Sequence, residues 1–528
     1  MVKIDMSHRA NKILLQPRRM KDLFARRNAG SMYLLFTWKL LRLLLKLGIK
    51  PRVDGWRKYA TAFLRTEDTR FLLAVFRLKV ELGVGDDDVH ITSKQWIIEQ
   101  LAHFFSANPQ LWNTRLEWNR SGASIQPNNH LDFVWAEFDN GGNLSTMRVF
   151  RDVDKGLSLD DSASLYSDFF VQAYNKTILA GRQRPYHLLV TLQALLKNAV
   201  YKNTAIDFAQ RVLDSVFIHF ESIESDEKLD FPDFSIFPHP GGGAFNISCR
   251  LQSPDYNEVD LWFHIHHALC DGNPVLEALN DQKRTWGTTG AMVFPPIAQG
   301  NKTYTCVEPT HNDSGRDLVY AHQHISFEHL LEERKRLNQK YRRLLKNKIT
   351  IAGMVLWGLS NQPFMKDSKI TLIVDVPLNS RTGEPRTLGF ITSKPNEVVD
   401  ENDTELSFVR YQTFINDAIE WVRKREDQTY IVLECQALMP AISYEMSLAL
   451  VPHAVRDVGG TVSLTLMPLA DYCTPPADDT KDAIIAIGNI MMPTKDGKLA
   501  GAVCIKSVKD DVGQYWESIY NTITQWHI

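Results

Sequence analysis

His266-His267-Ala268-Leu269-Cys270-Asp271-Gly272 closes the strand-like run Val259 to Ile265. Side chains alternate along a strand, so His264 and His266 share one face, while His267 takes the other as the chain leaves for a turn. Adjacent imidazoles placed this way cannot do the same job. One can be packed and hydrogen-bonded inside while the other projects into a cleft, and Gly272 permits a tight turn after Asp271. Asp271 could orient the second histidine or enter a structural ion pair, and spacing does not choose between them.

Outward from this stretch the pattern is that of a large globular protein. At 528 residues, with 44% hydrophobic residues, the chain exceeds what one core usually supports, and two lobes are expected. Six cysteines lie far apart with no Cys-x-x-Cys pair, and no cleavable secretory signal opens the sequence. A reducing, cytoplasmic setting with buried thiols fits that usage.

The net charge of -2 conceals an asymmetry: up to Lys58, fifteen Lys or Arg face only three Asp. Inside this basic region, Ser31 to Lys50 is apolar apart from Lys39, Arg42, Lys46, Lys50 and a few small polar residues. The spacing puts the four cations on one helical face. The longest uncharged piece, Asn28 to Trp38, is far short of the roughly 20 residues that cross a bilayer. A helix lying in an anionic membrane surface is expected, with Trp38 and Phe36 at the interface and Lys39, Arg42, Lys46 and Lys50 facing the headgroups. The alternatives are a helix packed on the body with its cations in water, or an organelle-targeting presequence.

After Trp56, alternation through Phe76 to Leu82 predicts a strand, and Ser93 is placed to cap a helix that stops before Pro109. Helices are expected at Ala163 to Ala180, Leu188 to Leu213, Ser326 to Leu345 and Thr350 to Leu359. Strands are expected at Ala244 to Leu251, Val259 to His266 and Ile370 to Val376. Gly241-Gly242-Gly243 has no Lys-Ser/Thr after it and no strand leading in, so it reads as a flexible turn rather than a phosphate loop. Gly287 to Gly315 reads as an exposed connection between lobes. Direct internal repetition in the sequence is weak.

His266-His267-x-x-x-Asp271-Gly272 resembles the HHxxxDG motif of the coenzyme A-dependent acyltransferase superfamily, which includes chloramphenicol acetyltransferase, alcohol acetyltransferases and peptide-synthetase condensation domains. Ala107-Asn108-Pro109-Gln110-Leu111 is similar to the ending of that group's first helix. Asp375-Val376-Pro377-Leu378-Asn379-Ser380-Arg381 with Leu388-Gly389-Phe390 resembles its "PVNLR … LGNF" segment. Gly459 to Thr465, Pro475-Pro476 and Ala483 to Gly488 are similar to dihydrolipoyl acyltransferase catalytic domains. Where those carry a second histidine motif, this chain has Cys504 to Asp510, without histidine.

The resemblance, over roughly residues 67 to 528, implies an α/β (α+β) fold of two lobes, a chloramphenicol acetyltransferase-like pseudo-dimer in which each lobe is a mixed sheet flanked by helices. Expected boundaries are a basic extension at 1–66, a lobe with the motif at 67–305, and a lobe lacking its own catalytic histidine at 306–528. It implies an acyltransferase that takes an acyl group from a CoA or carrier-protein thioester to a hydroxyl or amine, the acceptor or acyl chain being lipidic if the N-terminus is a guide. His267 is the expected base and His266 the packed neighbour. Asp271 is implied to pair with Arg381, or with Arg386, across the lobes, and Thr465 is the candidate oxyanion donor. A monomer is expected, with no tightly bound cofactor, no metal and no nucleic acid.

Other chemistry fits the pattern less well. Alternation works against gathering His264, His266 and His267 on one metal ion, and Cys270 occupies a spacer position rather than a nucleophile's. A noncatalytic binding or scaffold protein at a membrane, and an oligomeric lipoyl-linked core, are the alternative classes. The intact motif with Arg381 speaks against the first; the motif's place in the first half speaks against the second.

Overall fold

The computed structural model describes residues 43, 47, 70–79, 89–119, 122–139, 143–160, 164–180, 185–223, 243–252, 258–266, 269–270, 272–283, 304–307, 318–345, 347–365, 368–376, 387–393, 403–424, 461–471, 473–474, 481–494 and 496–528. The first half contains β1 (Arg70–Lys79), α1 (Val89–Ala107), the hairpin β2 (Thr114–Asn119) and β3 (Gly122–Pro127), β4 (Phe133–Phe138) and β5 (Leu144–Phe150). It continues with α2 (Ser164–Leu179), α3 (Pro185–Leu195), α4 (Lys202–Asp214), β6 (Val216–Ile223), β7 (Phe245–Gln252), β8 (Glu258–His266) and α5 (Gly272–Lys283). The second half has β9 (Thr305–Val307), β10 (Leu318–Ser326), α6 (Glu328–Lys340), α7 (Ile351–Ser360), β11 (Ile370–Val376), β12 (Thr387–Ser393) and α8 (Thr404–Arg423). It ends with β13 (Val462–Leu466), β14 (Ala483–Ile487), β15 (Met492–Pro493), β16 (Leu499–Val508) and α9 (Val512–Thr524).

Two mixed sheets organise these elements, one in strand order β1-β8-β7-β6-β4-β5 and the other β12-β11-β13-β14-β16-β10-β9, with β15 beside β16. From its β5 edge, the first sheet pairs antiparallel, parallel, parallel, antiparallel, antiparallel. From its β12 edge, the second runs through the same five steps before adding β9. Chain order is also matched: β1, β4, β5, β6, β7, β8 correspond to β10, β11, β12, β13, β14, β16. The molecule is therefore a topological duplication, an α/β protein of two helix-flanked mixed sheets, although its sequence shows little repetition. Right-handed strand twist and packing constrain pairing order far more tightly than they constrain residue identity.

Each sheet buries an apolar face. In the first, Phe245, Ile247, Cys249, Val259, Leu261, Phe263 and Ile265 pack against Ile97, Leu101, Phe104 and Phe105 of α1 and against α5. The far side of β4 and β6 is covered by α2, α3 and α4 through Phe170, Leu188, Leu192 and Phe208. The second sheet packs Ile370, Leu372, Val462, Leu464, Ile485 and Val503 under α7, α8 and α9, with Trp357, Tyr411 and Trp516 as the bulkiest fillers. A buried aromatic of that size carries a large share of core stabilisation.

Several sequence expectations change, Cys306 of β9 among them, which is exposed where buried thiols were expected. The first helix already begins at Val89, so Ser93 lies inside it rather than capping it. The strand expected at Phe76 to Leu82 starts earlier, at Arg70, and its residues beyond Lys79 lie outside the described set. The single helix expected over Leu188 to Leu213 is two. Ala199 N–H donates to Leu196 C=O and Lys202 N–H to Ala199 C=O, three-residue closures that break the helical ladder. The apolar period survives the break because both helices line one core.

Candidate active site

The end of β8 is fixed by its neighbours. His266 N–H donates to Ala244 C=O at 2.8 Å, and the His266 carbonyl accepts from Leu269 N–H (2.8 Å) and Cys270 N–H (3.1 Å). The chain thus turns immediately after His266, and Gly272, itself buried, starts α5. His264 and His266 are both buried, on the face opposite Phe263 and Ile265. His266 is the packed neighbour expected from alternation. Leu269 and Cys270 sit fully inside the first core with Val275, Leu276 and Leu279 of α5. His267 and Asp271 lie outside the described residues, as do Arg381, Arg386, Trp38, Lys39, Arg42, Lys46 and Lys50.

Ala244 reaches His266 because of the residue before it. A Cβ on Gly243 would stand 2.5 Å from Ser215 O and 3.0 Å from Asp214 O, and Gly243 N–H donates to Leu213 C=O at 3.0 Å. The last glycine of the triplet therefore permits a close backbone approach at the corner between α4 and β6. The sequence reading of a flexible turn missed this.

The same end of the sheet carries a charge cluster. The Asp132 carboxylate, just before β4, accepts from Arg211 Nε (2.7 Å) and Nη2 (2.7 Å), from Arg151 Nη1 (2.8 Å) and from Asp152 N–H (2.8 Å). Arg151 also donates to Asp160 (3.0 Å), and Asp152 contacts His130 at 2.9 Å. The His130 hydrogen bond and the Arg211 guanidinium hold the Asp152 carboxyl below its ordinary value, against a smaller opposing effect of burial. Asp152 adopts φ 46°, a left-handed conformation that aspartate tolerates better than most residues. Arg211 belongs to the last turn of α4, so the cluster ties that helix end to the start of β4.

Thr465 lies half-buried on β13, in register with Ala486 of the parallel neighbour β14. Val462 and Leu464 face the helices, which leaves Ser463 and Thr465 on the opposite face of the second sheet. Ala486 shares that face, and it belongs, with Ala470 and Cys473, to the same apolar cluster as Leu269, Cys270 and Val275. The core beneath the motif thus extends to the strand beside Thr465. Ser463, two residues earlier, is fully buried, and its Oγ has no hydrogen-bond partner among the described residues.

His322 and His324 of β10 occupy this inner face too, since Val319, Ala321 and Ile325 face the helical side. Burial, and for His322 also the neighbouring His324, lowers their pKa values to about 3 and about 4, so both are neutral near pH 7. Alternation over Leu318 to Ser326 could have revealed this strand in the sequence.

Cys270 is fully buried, a packing position rather than a nucleophile's, and burial pushes the Cys473 thiol up to about 12. In the second half β16 also passes through a turn into a helix, α9, but that turn, residues 509–511, contains no histidine. Among the described residues no group of three or more His, Cys, Asp or Glu is placed to hold a metal ion.

No family model matches the chain, and no curated protein matches it in sequence. Solved structures do. The chain is similar to TRI3, the trichothecene 15-O-acetyltransferase of Fusarium sporotrichioides, at a TM-score of 0.44 and 10% identity over 90% of this chain and 95% of that one. It is similar to TRI101 of the same organism, complexed with coenzyme A and T-2, at 0.39 and 9% over 88% and 96%. The four-domain nonribosomal peptide synthetase AB3403 gives 0.42 and 12% over 90% of this chain and 33% of that one. Each of these likenesses lies below a TM-score of 0.5.

Proposed function

We propose that this protein is an acyltransferase that moves an acyl group from a thioester, acyl-CoA or an acyl-carrier protein, to a hydroxyl or amine, with His267 as general base. The observation that carries this reading is the placement of the motif's first histidine. His266 is the last strand residue, buried and held on both backbone sides, at the point where the chain enters the core of Leu269, Cys270 and Val275 that reaches Ala486 of the second sheet.

The chemistry follows from that position. The acceptor O–H or N–H gives its proton to the neutral imidazole as its lone pair forms the new bond to the thioester carbonyl carbon. Positioned proton transfer of this kind is worth roughly 10² to 10⁴ in rate. The tetrahedral oxyanion takes a hydrogen bond from Thr465, whose strand borders the same core; such a donor contributes about 2.7 to 4 kcal/mol. Collapse breaks the C–S bond, and the imidazolium returns its proton to the departing thiolate. Asp271 pairs with Arg381 to hold the loop. The basic, leucine-rich N-terminal segment supports a lipidic acceptor or acyl chain.

Free-thiol release from a panel of acyl-CoAs, with mixed alcohols and amines as acceptors, tests the reading. Acceptor-dependent release is expected with at least one pair. Absence of release from every donor, including acylated carrier proteins, would leave a binding protein instead.

A further inference from the structure

Trp135 of β4 is 6% exposed, and its indole Nε1–H has no hydrogen-bond partner among the described residues. Two cations stand over the same ring. Lys94 Nζ of α1 lies 5.5 Å from the ring centroid, and the guanidinium carbon of Arg148, the cross-strand partner of Trp135 on β5, lies 4.7 Å from it. Phe220 of β6 meets the indole edge to face at 5.2 Å, and Lys94 Nζ is 5.6 Å from that ring as well. Neither cation has an ion-pair partner among the described residues. Glu137, two positions along β4 on the same face, accepts from Thr146 Oγ1 at 2.8 Å instead.

One cation is enough to meet the negative face of an indole, and a second brings repulsion from the first. Lys94 is half-buried and Arg148 exposed, so the pair opens to water. Two like charges around one ring, with no carboxylate between them, set up a positive potential that an anion relieves. The donors select which anion. A planar guanidinium fork by itself occupies both oxygens of a carboxylate, whereas a phosphate keeps further oxygens for the ammonium and the indole N–H. We propose that Lys94, Arg148 and Trp135 bind the phosphate of a small phosphate ester, with the Phe220 ring against its organic part. Through Ile218 and Ile247, Trp135 is in register with Phe263, three residues before His266 on β8. Three strand spacings of about 4.8 Å separate β4 from β8, which puts this site on the order of 15 Å from the strand that carries the motif.

The test is titration of the full chain with phenyl phosphate, inorganic phosphate and benzoate, followed by calorimetry and tryptophan fluorescence. Phenyl phosphate is expected to bind about tenfold more tightly than benzoate, which carries the same ring on a carboxylate, and to change the tryptophan emission. Lys94→Gln with Arg148→Gln should weaken phenyl phosphate binding by about tenfold or more, and Arg148→Gln alone, at an exposed position that folding tolerates, should weaken it severalfold. Trp135→Phe keeps an aromatic ring and removes the N–H, so it should weaken binding severalfold and remove most of the emission change. Lys155→Gln with Lys197→Gln, exposed cations elsewhere in the same half, should leave binding unchanged. Failure of the full chain to bind phenyl phosphate would overturn the proposal, as would unchanged binding by the Lys94 and Arg148 variants. Benzoate binding as tightly would overturn the choice of phosphate, and inorganic phosphate binding as tightly would overturn the choice of an ester. Binding is read without turnover, so it stands or falls independently of the acyl-transfer reading.

Discussion

The backbone N–H of His266 donates to the carbonyl of Ala244 at 2.8 Å, and this bond is the last rung between β7 and β8 before the motif turns away. It depends on Gly243, which lies against the Asp214 and Ser215 carbonyls more closely than any side chain allows. Gly243→Ala should force the start of β7 outward, costing about 1–3 kcal/mol of stability by overpacking. Thiol release should fall by more than that loss of folded protein accounts for. Denaturant titration and turnover measured on the folded fraction check this; unchanged turnover would detach the corner from the site.

Asp132 is buried under two arginines, so its removal leaves their charges uncompensated. Asp132→Asn should destabilise the protein by about 3–5 kcal/mol, the cost typical of breaking one partner of a buried pair. Replacing Arg211, which is partly exposed, should cost less. Urea midpoints of the two variants provide the comparison.

His322 and His324 make stability depend on pH. Their folded-state pKa values lie below the ordinary 6.5, so the unfolded chain binds protons first as pH falls. Stability is fully present above about 6.5 and is lost as pH drops toward 4 and then 3, at up to about 1.4 kcal/mol per pH unit for each imidazole. Melting temperatures at pH 7, 6 and 5 should converge for His322→Gln with His324→Gln, and should fall with acid in the unaltered protein.

Glu405, in the first turn of α8, accepts from Lys340 and Tyr341 and contacts Arg336, and these partners bring its pKa to about 2 against the opposing effect of burial. As a depressed carboxylate it contributes stability above its ordinary 4.5, which disappears as pH falls toward 2. The cluster is partly solvated, so Glu405→Gln should cost only about 1 kcal/mol at pH 7, and the difference from the unaltered protein should vanish near pH 2. Chemical denaturation at the two pH values measures it.

Local signals served well where one element's own pattern decided its state. Ile370–Val376 is the strand expected, β8 ends at His266 as alternation required, and Thr350 caps α7 through its side chain. What escaped the sequence depends on partners distant along it. Arg211 is 79 residues from Asp132, Gly243 is defined by the backbone at Asp214 and Ser215, and the matching strand order of the two sheets involves pairing rather than residue type. Of the candidate site, His266 stands at the strand end, Gly272 at the start of α5 and Thr465 half-buried on β13. The inner-face histidines lie on β10, whose alternation the helical pattern that follows it overshadowed.

Steady-state thiol release by His267→Ala beside His266→Ala, each corrected for folded fraction, tests the division of labour between the two histidines. The account predicts that His267→Ala loses roughly 10² to 10⁴ in kcat at retained stability, while His266→Ala loses mainly stability. Equal turnover of His267→Ala and the unaltered protein would contradict it.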